Sequence, residues 1–183
     1  MKGIVFNLLE EAVRGEYGED AWDDLLERAV VDGAYTSLGR YPDTDMVRPV
    51  GAASEALKLP LETIVRWFGR RAIPLLRERY EDLFEGHTST RSFLLPLNSI
   101  VHPEVRKIYP GADVPTFDLQ TAADEPVLEI GYRSARKLCA LAAGFIEGSA
   151  DHYGEDVEIE QPACMHRGAE HCLLTVTFSA RAA

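Results

Sequence analysis

The stretch VLEIGYRSARKLCALAAGFIEG, residues 127–148, passes from one periodicity to another within a few residues, and this sets the reading of the chain. Val127 to Tyr132 alternates as a strand does, with Leu128, Ile130 and Tyr132 on one side and Val127 and Glu129 on the other. From Leu138 the spacing turns helical: Leu138, Leu141, Ala142, Phe145 and Ile146 make one apolar stripe, and Ser134 stands where an N-cap would stand. At the junction Tyr132, Ser134 and Arg136 occupy alternate positions, so two hydroxyls and one guanidinium come to nearly one side of the turn. That trio suits a pair of carboxylates. Arginine binds one bidentately, hydroxyls donate to the rest, and the positive end of the following helix adds attraction for anions. A capped helix with a surface arginine would use the same residues.

Strand-like alternation recurs at Thr116–Gln120, Val157–Gln161 and Cys172–Phe178, with turn residues at Asp124-Glu125-Pro126 and Arg167-Gly168. The first half of the chain is helical in pattern. Val5, Leu8, Leu9 and Ala12 form one stripe, ended by Gly15 and Gly18, and Trp22, Leu25, Leu26 and Ala29 form another on a helix capped by Asp20. A third helix is expected from Asp45 or Pro49 to Leu57. A fourth follows Pro60, with Ile64, Val65 and Phe68 buried and Gly69 and Pro74 interrupting it. Ser92 to Ile108 mostly fits helix, but Pro96 and Pro103 put His102 at a helix start or bend. The pattern predicts an α+β fold in one domain, 1–183: a helical N-terminal lobe over 1–60 packed on a mixed lobe over 61–183 with a four-stranded antiparallel sheet.

Composition narrows the function classes. Lys and Arg number 19 against 30 Asp and Glu, so the net charge of the 183 residues is −11. Nucleic acid and anionic membrane surfaces are disfavoured as partners, both being negative. The opening MKGIVFNLLEEAV meets Glu10 and Glu11 too soon for a signal peptide, and no apolar run is long enough to span a membrane, so a cytoplasmic location is expected. There is no Ser-His-Asp order, no phosphate loop and no supported pair of catalytic carboxylates, and the chain is read as not an enzyme. Glu10 with Glu11, and Glu155 with Asp156, read as solvated faces.

His102 sits among apolar positions in NSIVHPEV, residues 98–105, and a neutral imidazole is a good ligand for haem iron. Alone, it reads equally as a histidine packing a helix start. Together, His102, the Tyr132-x-Ser134-x-Arg136 motif and Pro115 between them carry a resemblance, which the opening Met1-Lys2-Gly3 and Trp67-Phe68-Gly69 support. The chain resembles the bacterial haem-nitric oxide/oxygen-binding (H-NOX) domain, a relative of the haem domain of soluble guanylate cyclase, over nearly its whole length.

The resemblance implies haem b between the two lobes, with His102 as axial ligand, Tyr132, Ser134 and Arg136 on the propionates, and Pro115 bending the porphyrin. Val5, Leu9, Ala140, Leu141 and Phe145 would complete the haem pocket. Oxygen-binding members carry a distal tyrosine where Ala140 stands, and Leu9 and Pro74 supply no donor either. The implied ligands are therefore nitric oxide and carbon monoxide, with no stable oxygen complex unless Tyr80 or Tyr153 reaches the pocket, which their positions do not suggest. Ligand binding would release the His102 helix, with Gly69 as a pivot. The chain would be a stand-alone haem-based gas sensor signalling to a separate effector, such as a histidine kinase or a cyclic-di-GMP enzyme, since no such segment follows before Ala183. The alternatives are a haem-free small-molecule-binding or scaffolding domain of the same fold, or a redox- or zinc-responsive sensor acting through the cluster of Cys139, Cys164 and Cys172.

Cys139, Cys164 and Cys172 are an odd count, so reduced thiols are expected. Cys164 and Cys172 flank one loop. Some H-NOX members bind zinc through three cysteines and a histidine at similar positions, but Gln161 stands here in place of that histidine. A zinc site would need His166 or His171 as fourth ligand; otherwise the three thiols have a redox role or none.

Overall fold

The structure, a computed structural model, describes residues 1–120 and 127–181. The chain is α+β, with helices leading and a four-stranded antiparallel sheet following. The expected turn at Asp124-Glu125-Pro126 lies outside the described residues.

Helix α1 (Gly3–Tyr17) buries Leu8, Leu9 and Ala12 as its stripe requires. Gly15 lies inside it, and only Gly18, at φ 94°, ends it. Helix α2 (Glu19–Ala29) begins two residues earlier than a cap at Asp20 would place it. Gly18 holds the N-cap position, and Asp20 sits with Glu19 in the first turn, where a carboxylate favours the positive helix end without capping it. Helix α3 (Thr44–Leu57) follows, with Pro49 buried inside it.

Helix α4 (Leu61–Arg79) runs through both Gly69 and Pro74, so neither interrupts it. Gly69 serves packing instead. It faces α7 (Cys139–Tyr153), and a Cβ there would lie 2.5 Å from the Leu141 carbonyl oxygen. Gly144 returns the contact: a Cβ on it would fall against the Arg66 carbonyl oxygen, well inside contact distance. Ion pairs Arg66–Glu147 (2.8 Å) and Arg70–Asp151 (2.5 Å) flank the crossing. Gly69 thus lets α4 and α7 approach each other closely. Pro74 cannot donate to the Arg70 carbonyl, yet buried Ala72 and Ile73 hold the helix on course.

The segment 92–108 breaks into pieces. Helix α5 (Thr90–Leu94) starts at a Ser89/Ser92 capping box, a single π-turn covers Leu97–Val101, and α6 (His102–Ile108) begins at His102. The histidine stands at a helix start, and Pro103 behind it occupies a position where its missing amide costs no bond. Glu155 is not merely solvated; its Oε2 accepts the Thr90 amide at 2.7 Å.

Strands β1 (Thr116–Gln120), β2 (Val127–Arg133), β3 (Glu155–Ala163) and β4 (Cys172–Ala180) pair antiparallel in the order β1-β2-β4-β3. The register sets Tyr132 opposite Phe117 on one side and Cys172 on the other. One buried cluster gathers Phe6, Leu9, Trp22, Val50 and Phe68; a second gathers Phe93, Leu128, Ile130, Ile146 and Val176. The α+β class read from the sequence is the observed one.

Candidate functional site

A largely apolar cavity of about 320 Å³ opens between the two clusters. Its size is that of a site for a small molecule or cofactor. Ile4, Val5 and Leu8 line it from α1, Ile73 and Leu76 from α4, and Leu141, Phe145 and Ile146 from α7. His102, Pro115, Tyr132, Ser134 and Arg136 line it too, so the tertiary fold brings to one cavity residues that lie up to 148 positions apart in sequence, Met1 to Ser149. Leu9 and Ala140, expected in the pocket, are not in its wall. Leu9 is buried in the first cluster, and Ala140 packs against that cluster half-buried.

The His102 ring stacks on Phe117, with centroids 5.5 Å apart and planes at 24°, and Phe117 in turn meets Tyr132 at 5.7 Å. Burial, with Arg106 nearby, lowers the imidazole from 6.5 to about 4. The side chain is therefore neutral, as a metal ligand must be. Because the folded histidine is lowered, the unfolded chain takes up its proton first. The stability tied to the neutral ring is full above about pH 6.5 and is lost as pH falls towards 4. Denaturant titrations of the haem-free protein should show this loss, at most about 3 kcal/mol, and His102→Phe should remove that share.

Tyr132 is buried, which pushes its phenol up and keeps it protonated, and its oxygen accepts the Leu138 amide at 3.0 Å. Ser134 does not cap α7, whose N-cap position is Leu138. Its hydroxyl oxygen instead accepts the Arg136 amide at 3.2 Å and its carbonyl the Lys137 amide, shaping a tight turn ahead of the helix. Arg136 donates from Nε to Asp43 Oδ2 (2.8 Å) and from Nη1 to the carbonyl and carboxylate of Asp113 (2.9 Å each). Asp43 also takes the Met1 ammonium at 2.8 Å. Burial alone would raise the Asp43 carboxyl, but Met1 and Arg136 together hold it below the usual range. Sequence reading missed Asp43 and Asp113 because nothing local marks them; only the fold brings the start of α3 beside residue 136.

Tyr80 does reach the cavity, contrary to expectation, and its hydroxyl is hydrogen-bonded to that of Tyr109, also in the wall. Tyr109 lies seven residues past His102, just beyond the end of α6. Burial first, then Tyr80, raises its phenol. Tyr153 is not in the wall; its hydroxyl donates to the Phe84 carbonyl at 3.4 Å.

The three cysteines are free, buried and convergent, with all Sγ atoms within 4.8 Å of one another. Among the described residues no histidine nitrogen joins that group. His166 is exposed, and its Nε2 is bonded to the Lys137 carbonyl at 2.7 Å. His171 has a buried Nδ1 without a partner. The residues present do not make the four-ligand zinc site that three cysteines and a histidine would.

A model of the family described as haem-NO-binding matches residues 2–161. The chain belongs to the haem-NO-binding, or H-NOX, family. An H-NOX protein from Shewanella oneidensis, solved in its Fe(II)NO state, is 30% identical, with 98% of this chain and 99% of that one covered and a TM-score of 0.91. The Fe(II)CO structure of an H-NOX domain from Shewanella oneidensis matches at 30% identity over 98% and 99% of the two chains, TM-score 0.87. An oxygen-binding H-NOX domain related to soluble guanylate cyclases, solved as its oxygen complex, shares the fold at 24% identity, TM-score 0.81, over 99% and 96%. H-NOX domains have the fold of haem-based gas sensors. Among the described residues of this one, no helix is long and apolar enough to cross a membrane.

Proposed function

We propose that this H-NOX chain holds haem b in the cavity between residues 1–60 and 61–183 and senses nitric oxide, binding carbon monoxide as well. The observation that carries the reading is the neutral His102 imidazole sharing one apolar cavity with Tyr132, Ser134 and Arg136. That donor set fits a flat apolar group with a central metal and two carboxylates. When bound, the ferrous haem supplies a coordination position for a diatomic gas. His102 would hold the iron through its imidazole. Tyr132, Ser134 and Arg136 would take the propionates, with the exposed Asp113 yielding its place on Arg136 while Asp43 stays. Pro115 would press on one face of the ring, while Val5, Leu141 and Phe145 pack around it.

The moving part on this reading is α6. It is short, it starts at His102, and the π-turn before it is tied to β1 by Asn98, which bonds both the amide and the carbonyl of Phe117. Freeing His102 would leave α6 held at its far end by the Tyr109–Tyr80 bond. The output would pass to a separate effector, such as a histidine kinase or a cyclic-di-GMP enzyme, in the cytoplasm; three free thiols suit a reducing compartment. The domain itself is read as a sensor without catalysis.

Apart from the propionate clamp, Ser149, Tyr80 and Tyr109 line the cavity with hydroxyls. Ser149 donates to the Phe145 carbonyl at 2.8 Å, and the two tyrosines bond each other. Spectra of the reduced protein recorded without oxygen, then with nitric oxide, carbon monoxide and air, should show both gas complexes and no stable oxygen complex. An oxygen complex that disappears in Tyr80→Phe would identify that pair as a donor and overturn the ligand assignment. Absence of haem after expression with ample haem supply would favour a haem-free binding or scaffolding domain.

A further inference from the structure

We infer that Cys139, Cys164 and Cys172 form a three-sulfur site for a soft monovalent ion, Cu(I), in place of a zinc site. Cys164 Sγ lies 3.9 Å from both Cys139 Sγ and Cys172 Sγ, and the third separation is within 4.8 Å. An ion in the plane of that triangle would sit about 2.3 to 2.5 Å from each sulfur, the length of a metal–thiolate bond. The three side chains come from three separate elements: the start of α7, the end of β3's connection and the start of β4. They need no rearrangement to meet.

The coordination number separates the candidates. Zinc in structural sites takes four ligands, and the nitrogen needed as the fourth is absent among the described residues. Soft thiolates suit Cu(I) as well as zinc, and Cu(I), a d¹⁰ ion, is content with three of them. The surroundings are soft as well. Cys139, Cys164 and Cys172 are all at most 5% exposed, and Met165 packs against the same cluster. The Met165 amide donates to Cys172 Sγ at 3.3 Å.

Gln161 is the residue that decides the ligand count. Alternation along β3 puts it on the same face as Val157 and Ile159, which pack against the cluster holding the three cysteines. Its Nε2 is buried and makes no hydrogen bond. A side-chain amide at that place is a poor partner for either ion. A histidine there would supply the borderline nitrogen that zinc requires.

The test uses the full haem-loaded chain, reduced and free of oxygen. Titration with Cu(I) held by a competing chelator should reach one copper per chain. X-ray absorption at the copper edge should show three sulfurs near 2.3 Å and no nitrogen or oxygen. Zinc alone should be stripped by a chelator of moderate strength. In Gln161→His, zinc retention should rise more than tenfold and nitrogen should enter the zinc shell. Cys164→Ser, checked for an unchanged haem spectrum, should lose copper; the absorption experiment on the unaltered chain decides should that variant fail to fold. Zinc retained by the unaltered chain in a four-ligand shell would overturn the inference, as would copper bound by two sulfurs or uptake unchanged in Cys164→Ser.

Discussion

His102→Gly is expected to yield a folded protein that loses its haem during purification and regains it when imidazole is supplied. The side chain is half-buried, neutral and stacked on Phe117 at the wall of an otherwise apolar cavity. Removing it deletes the one imidazole in that wall among the described residues and leaves a space of its shape. The clamp residues would still hold carboxylates, but surface-facing ion pairs contribute about 1 kcal/mol or less each. They cannot substitute for an iron–nitrogen bond. Haem content read from the Soret absorbance, with and without imidazole, checks this. Undiminished haem binding by the variant would remove His102 from the axial role, leaving His87, His152, His166 and His171 to be tried in turn.

Gly144→Ala is the second change with a large expected effect, and it acts on the scaffold. One methyl group at residue 144 meets the Arg66 carbonyl and lies 2.9 Å from the Arg70 amide nitrogen. These are backbone atoms of α4, so no side chain can swing aside. The helices would have to separate along a crossing that also packs Gly69 against Leu141 and carries the Arg66–Glu147 and Arg70–Asp151 pairs. Overpacking of this kind costs about 2–3 kcal/mol, which for a chain of this size lowers Tm by roughly 4–12 °C. Since α4 and α7 both line the cavity, haem affinity should fall in the same variant. Gly15→Ala is the control: nothing lies within 4 Å of that position, so its effect should be small.

The two glycines show where sequence reading runs short. Gly69 and Pro74 have the local look of helix interruption, and the apolar stripe around them gives no sign of a partner helix. Only a partner approaching as closely as Gly144 does explains Gly69, and that partner is 75 residues away in the chain. Ser134 is a similar case. A serine ahead of an apolar stripe satisfies every local rule for an N-cap, yet α7 starts five residues later, because Ser134 accepts the Arg136 and Lys137 amides in a tight turn instead. Strand β1, by contrast, was legible residue for residue, and the other strands to within two residues at each end, because alternation of burial is a local signal.

By itself the sequence determined the α+β order of elements, the position of His102 at a helix start and the chemistry of the Tyr132, Ser134 and Arg136 trio. These follow from side-chain type and from periods of 2 and 3.6, both local properties of the chain. The tertiary structure alone decided who shares the cavity and who balances the clamp. Leu9 and Ala140 were excluded from the wall, Tyr80 was admitted, and Arg136 was given Asp43 and Asp113. It also set the three thiols together without a histidine. Contacts between residues tens of positions apart depend on how helices cross and how strands register, and that geometry is fixed by the whole packed core.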